Sequence, residues 1–254
     1  MAKQKLGRIK KTCAFVTGIF KLSPMLEIAR AGIRRELEDK QIESYAQRLL
    51  ESYDDNQIAD LLCSGSLASL KAQDLFVNKL FEKHSGSWKD RGYGSLCSRI
   101  LASGNVRSML AQEKLAIMVK SSGSASDSFA ALDGGFVLSV QAQNHLAYSI
   151  LQKGYVDQAS SLLRSRKMDS ELAMIFLAKK IFDQGSCKDA HEILLAGRIG
   201  YDEPQDILAF KISVQGTPGQ ARTLLAMGSV SSEKARSALE LMLSGTLPSE
   251  PRMM

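Results

Sequence analysis

An internal repeat with a period of about 31 residues constrains the fold of this chain more than any other feature of its sequence. Three segments, 146–163, 177–194 and 208–225, align without gaps. Six columns hold the same residue in all three segments: Leu146/Leu177/Leu208, Ala147/Ala178/Ala209, Ile150/Ile181/Ile212, Gly154/Gly185/Gly216, Ala159/Ala190/Ala221 and Leu163/Leu194/Leu225. Because common residue types each make up only about 7–10% of an average protein, six such columns exclude a chance alignment. The chain is therefore predicted to fold as an array of similar units.

The same pattern extends on both sides of these segments. One period upstream it is kept by Leu115, Ala116, Val119, Gly123 and Leu132. Further upstream it continues if one unit carries an insertion at about 85–92. Leu239 and Leu243 begin a last helix that has no partner, as at the end of a repeat array. The alignment predicts about six repeats between residues 39 and 228.

Each column has a physical interpretation as part of a pair of helices. Leu and Ile recur at the spacing of a helix that is apolar on one side. Small Ala residues are expected where the two helices cross, since a larger side chain would separate them. The Gly is expected to adopt the left-handed conformation that often ends a helix. One such pair cannot bury its own apolar face, so the sequence predicts an all-α fold: a right-handed α-α solenoid of about six 31-residue helix-pair repeats with flanking helices.

The unit resembles the tetratricopeptide repeat. Leu146-Ala147, Ile150, Gly154 and Ala159 have the spacing of the Leu-Gly/Ala pair, the apolar residue, the Gly and the Ala of that family. The period is about 31 residues rather than about 34, and the Trp and the closing Pro of the family are missing. Pentatricopeptide repeats share the same Gly-to-Ala spacing. The resemblance implies a scaffold that binds other proteins.

All of the net positive charge lies at the N-terminal end of the chain. Residues 1–40 hold ten Lys or Arg and four Asp or Glu, so the rest of the chain holds equal numbers of the two signs. The predicted organisation is a basic N-terminal helical segment (1–38), a tetratricopeptide-like helical repeat domain (39–247) and a disordered tail (248–254). The apolar residues of the first segment are expected to pack on the next helix. A targeting peptide and contact with an anionic membrane surface are the alternatives.

The sequence contains no GxSxG, HExxH, Walker A or GxGxxG signature of catalysis or of phosphate binding. Its four cysteines, Cys13, Cys63, Cys97 and Cys187, form no CxxC pair and no Cys/His cluster, so no metal site is predicted. Each cysteine has apolar neighbours, which indicates free thiols in a reducing compartment. The protein is accordingly expected to be cytoplasmic, non-enzymatic and without a cofactor.

Two places are predicted to bind a partner. In arrays of the resembling type the first helices line the concave face, which would place Asn144, Tyr148, Lys179, Asp206 and Phe210 in one groove. These residues offer aromatic anchors and both signs of charge; for Phe210 the alternative is burial between adjacent repeats. The second place is the insertion, where Trp88 stands among Gly, Ser and charged residues and either contacts the partner or covers the array.

The predicted function is a non-enzymatic scaffold or adaptor that binds a protein or peptide through the concave face. RNA binding in the pentatricopeptide manner is the first alternative. It requires a basic track, whereas residues 135–254 hold 13 Lys or Arg and 12 Asp or Glu, so nucleic acid is not the expected partner. The second alternative is an accessory subunit of a larger complex, held at a membrane surface by the basic N-terminus.

Overall fold

The computed structural model describes residues 39–84 and 92–245. These two ranges contain thirteen α-helices and no β-strand, so the predicted all-α class is confirmed for them. The predicted N-terminal segment (1–38), Trp88 and the predicted tail (248–254) lie outside the described residues. The helices are α1 (Asp39–Ser52), α2 (Asp55–Cys63), α3 (Leu70–His84), α4 (Gly92–Ala102), α5 (Met109–Ser122), α6 (Ala125–Asp133), α7 (Val140–Lys153), α8 (Val156–Ser165), α9 (Glu171–Gln184), α10 (Cys187–Leu195), α11 (Asp202–Gln215), α12 (Pro218–Met227) and α13 (Glu233–Ser244).

The helices form two rows. The odd-numbered helices, here called A helices, pack each on the next A helix along the chain. The even-numbered helices, here called B helices, pack each on the next B helix and on the A helix that follows. Every substantial contact between described helices joins two that are one or two positions apart in sequence. One continuous apolar core, from Ala46 to Leu239, therefore runs along the rows rather than around a single centre.

The identical columns of the repeat supply this core. The Leu, Ala and Ile columns of the A helices and the Ala column of the B helices are fully buried. In the remaining B-helix column Leu163 and Leu194 are buried, and Leu225 is half-buried. The prediction that the Ala residues lie inside the array, where helices approach closely, agrees with this burial.

The Gly column ends the A helices as predicted, but the predicted reason is wrong. Gly123, Gly154, Gly185 and Gly216 follow α5, α7, α9 and α11 with φ of −88°, −86°, −83° and −86°, which is not the left-handed region. A Cβ atom on Gly154 would lie 2.7 Å from the carbonyl oxygen of Ile150 and 2.8 Å from its Cγ2. Gly is required here because the chain turns directly from an A helix into a B helix, without room for a side chain.

Apart from Gly245, which ends α13, the left-handed residues form a different column, after the B helices. Gly65, Gly104, Gly135, Gly197 and Gly228 have φ between 62° and 74°. Arg166 stands in the same register and has φ of 54°, and it is the one described residue other than Gly with positive φ. A left-handed conformation brings Cβ too close to the following carbonyl oxygen, so this column favours Gly.

Replacing Arg166 with Gly is expected to raise the free energy of unfolding by about 0.5–1 kcal/mol. Relief of the left-handed strain at an L-residue, about 1–2 kcal/mol, is partly offset by the larger backbone entropy that Gly loses on folding. Urea unfolding of Arg166→Gly beside Arg166→Ala measures the difference, since Ala keeps the strain and removes the side chain. Equal midpoints for the two variants would show that no strain is stored at this position.

Candidate functional site

Four A helices carry a buried glutamine at their fourth residue: Gln73, Gln112, Gln143 and Gln205. In all four, Nε2 donates a hydrogen bond of 2.7 Å to the carbonyl oxygen six residues earlier. In all four, Oε1 accepts two backbone N–H bonds of 2.7–3.1 Å from the residues that precede the next A helix. We call this series the glutamine ladder. It holds the N-terminal ends of successive A helices side by side.

The ladder is interrupted between α9 and α11. Met174 and Ile175 stand where Gln143 and Asn144 stand one repeat earlier, and Tyr201 replaces the serine that begins the other A helices from α5 onward. Here the Tyr201 hydroxyl donates a 2.6 Å hydrogen bond to the carbonyl oxygen of Asp169. At the N-terminal ends of α9 and α11, one side-chain hydroxyl therefore takes the place of a buried amide.

Two of the predicted binding residues take part in contacts between repeats. The hydroxyl of Ser170, at the start of α9, donates to Asn144 Oδ1, and the hydroxyl of Ser232, at the start of α13, donates to Asp206 Oδ1. Asp206 also lies 3.8 Å from the ammonium group of Lys234. Both Asn144 and Asp206 are half-buried, and their oxygens already accept hydrogen bonds from the following A helix.

Tyr148 lies at the centre of an aromatic and cationic group on the A row. The residue is 36% exposed, and its ring meets the ring of Phe176 edge to face at a centroid distance of 5.5 Å. The Lys120 ammonium lies 4.7 Å from the centroid of the Tyr148 ring, a cation–π distance. His145 lies one turn before Tyr148; burial and the nearby charge of Lys120 lower the pKa of its imidazole, and Glu113 opposes this shift. Three A helices, α5, α7 and α9, thus build one surface.

Lys179 and Phe210 continue the position of Tyr148 on the next two A helices. Lys179 is half-buried, and its ammonium group forms no ion pair with any described residue. Phe210 is half-buried and stacks on Phe182 of α9, with ring centroids 6.1 Å apart. The stacking shows that Phe210 packs between adjacent repeats, while part of its ring remains accessible.

Two buried lysines were missed by the sequence reasoning. Lys180 and Lys211 are only 3% and 2% exposed. Lys180 Nζ donates to the carbonyl oxygen of Leu151 at 3.2 Å, and Lys211 Nζ donates to that of Phe182 at 2.6 Å. Each lysine thus binds the C-terminal end of the preceding A helix, where a positive charge is favourable. The two lysines lie one period apart in the sequence, and this was the available signal.

The described cysteines form no disulfide, and the described residues hold no metal cluster. Cys63, Cys97 and Cys187 are free thiols. Burial raises the pKa of Cys97 to about 12 and also raises that of Cys63, which disfavours the reactive thiolate. Residues 39–84 and 92–245 contain no group of three His, Cys, Asp or Glu placed to hold a metal ion. None of the described helices combines the length and the apolar character that crossing a membrane requires.

Comparison with known proteins identifies no relative. No family model, no curated protein and no solved structure matches this chain.

Proposed function

We propose that this protein is a non-enzymatic scaffold or adaptor that binds a protein or peptide partner in the cytoplasm. Its architecture in this proposal is a right-handed α-α solenoid of about six tetratricopeptide-like repeats with flanking helices. The regular period of the sequence and the packing of each helix on its nearest neighbours along the chain support this architecture. In such a solenoid the A helices line the concave face.

The observation that carries the proposal is the group around Tyr148. Tyr148 is 36% exposed, its ring packs edge to face with Phe176, and Lys120 lies over its face, so it offers an apolar anchor beside a positive charge. Aromatic side chains that already pack on one side lose little conformational freedom on binding, and such residues are frequent centres of protein interfaces. Lys179, which forms no ion pair with a described residue, lies on the next A helix. A partner segment with an apolar side chain and a nearby carboxylate would satisfy both features.

The double substitution Tyr148→Ala with Phe210→Ala is expected to weaken partner binding by about 10-fold or more, because both rings are removed from one face. A partner is first obtained by affinity capture with nuclease treatment, and its affinity is then measured with purified components. Tyr155→Ala is the matched control, since Tyr155 is 72% exposed and lies at the start of a B helix. Each variant is also unfolded in urea, because truncation of the packed Phe210 by itself destabilises the array.

If the folded double variant binds the partner as tightly as the wild-type protein does, the partner does not bind the face that the A helices form. Trp88→Ala is tested separately, since Trp88 belongs to the second predicted binding place. If RNA is the only partner captured and moderate salt removes it, RNA binding replaces the proposal, because phosphate contacts weaken steeply with salt.

A further inference from the structure

Seven apolar side chains that are 45% to 63% exposed lie along one edge of the array, at or just before the N-terminal ends of A helices. We call them the apolar edge; they are Leu70, Met109, Leu110, Phe136, Leu138, Val140 and Leu172. Single exposed apolar residues are ordinary, but a contiguous group on one edge marks a surface that binds something.

The glutamine ladder shows that the backbone segments that carry these side chains are neighbours. The backbone N–H of Leu138 donates to Gln112 Oε1 at 2.7 Å, which places Leu138 against the first turn of α5, where Met109 and Leu110 lie. The corresponding hydrogen bonds to Gln73 and Gln143 hold the start of α5 against α3 and the start of α9 against α7. The apolar edge therefore crosses four consecutive A helices, from α3 to α9.

At the α9 end of the apolar edge, and beyond it at α11, the helix N-termini carry exposed acidic residues. Asp169 and Glu171 at the start of α9, and Asp202 and Glu203 at the start of α11, are all exposed. None of the four forms an ion pair with another residue in the described part of the chain. A ligand for the whole edge would thus be apolar on one side and positively charged at one end.

We propose that this edge is covered by residues 1–21 of the same chain, a segment outside the described residues. The segment contains six Lys or Arg and no Asp or Glu. It also contains the apolar residues Leu6, Ile9, Phe15, Ile19 and Phe20. It complements the edge both in charge and in apolar character, and opposite potentials favour that pairing over others.

The topology brings the segment to this edge. Lys83, at the C-terminal end of α3, forms a 2.9 Å ion pair with Asp55, which follows α1, so the C-terminal ends of α1 and α3 are adjacent. The two helices are therefore parallel, and the chain enters α1 at Asp39 on the edge that carries the exposed apolar residues. Residues 22–38 can span up to about 55 Å when extended. Four helix spacings, from α1 to α9, cover only about 32–40 Å.

Cross-linking with a short bismaleimide tests the contact, because Cys13 lies within the segment. In the full-length chain with Cys63→Ser and Cys187→Ser, a second thiol is introduced by Leu138→Cys, while the buried Cys97 is left in place. Tyr155→Cys is the control, since Tyr155 is more exposed but lies where α7 has ended, on the opposite edge. The cross-link between positions 13 and 138 within one chain is expected to form at least 10-fold faster than that between 13 and 155.

Equal rates at the two positions would overturn the proposal, as would cross-links that join two chains, which would assign the edge to a second copy.

The charge contribution is tested with Glu171→Gln and Glu203→Gln together. This pair of substitutions is expected to slow the formation of the 13–138 cross-link about threefold or more. High salt is expected to slow it as well, because salt screens exposed charges. No change under either condition would contradict the electrostatic part. Thermal melting confirms that each variant stays folded.

Discussion

Replacing Gln143 with Met is expected to lower the free energy of unfolding by about 3 kcal/mol, because an unsatisfied buried polar group costs roughly 1–3 kcal/mol. The side-chain amide binds the carbonyl oxygen of Val137 and the backbone N–H groups of Asp169 and Ser170. Methionine has a similar shape but leaves these three groups without partners, and the contacts to Val137 and Ser170 are buried. Urea unfolding followed by circular dichroism measures the loss.

Met174→Leu is the matched control, because Met174 occupies the same position of α9 and contributes no amide bond. A volume-conserving apolar exchange of this kind should cost less than about 1.5 kcal/mol. If Gln143→Met costs no more than Met174→Leu, the glutamine ladder does not stabilise the junctions between repeats.

Replacing Gly94 with Ala is expected to cost about 3 kcal/mol, at the upper end of what overpacking does. Gly94 lies in the first turn of α4, and a Cβ atom there would stand 2.1 Å from Cα and 2.3 Å from N of Gly123. Both neighbours belong to the backbone, so they cannot rotate away as a side chain would. The start of α4 would have to move away from the end of α5.

Gly92→Ala in the same helix is the control, because it adds the same methyl group away from the contact with Gly123. Outside its chain neighbours and its own helical turn, no atom of the described residues lies within 4 Å of a Cβ placed on Gly92. Ala there should leave the stability unchanged or raise it by up to about 1 kcal/mol, through its better helix propensity. Equal stability of the two variants would show that α4 and α5 do not approach as closely as the structure indicates.

The apolar part of the fold was predictable from the sequence because the same side chains recur once in every period of the repeat. Leu146, Ala147 and Ile150 are buried where the periodicity places them. The polar contacts between repeats were not predicted, since Gln143 and Asn144 are residue types that usually face water. Periodicity within one repeat does not show which backbone groups the next repeat presents to them.

The two glycine columns show the same limit. Gly154 was predicted to be left-handed because it ends a helix, yet steric contact with Ile150 is what requires it. Gly135 and Gly197 carry the left-handed conformation, and their separation of two periods was visible in the sequence. Arg166 obscured that column, because it stands midway between them.

For the candidate site, the sequence predicted the accessible position of Tyr148 but not the side chains that contact it. Tyr148 is accessible, as expected, but its partners Lys120 and Phe176 lie on two other A helices and could not be inferred from one repeat. Asp206 was expected to be available in a groove, and it instead accepts a hydrogen bond from Ser232.

The glutamine ladder also determines how an array like this one can grow. Through its Oε1, Gln143 accepts hydrogen bonds only from backbone N–H groups of the following unit, so these two bonds do not depend on the side chains of that unit. A duplicated repeat unit inserted after α8 would therefore present the amides that Gln143 needs and would carry its own glutamine for the unit beyond. Tandem duplication during evolution can lengthen the protein at such a junction without compensating substitutions. At the α9–α11 junction, Met174 stands in place of the glutamine, so this contact is absent and the Tyr201 hydroxyl bonds the backbone carbonyl of Asp169 instead.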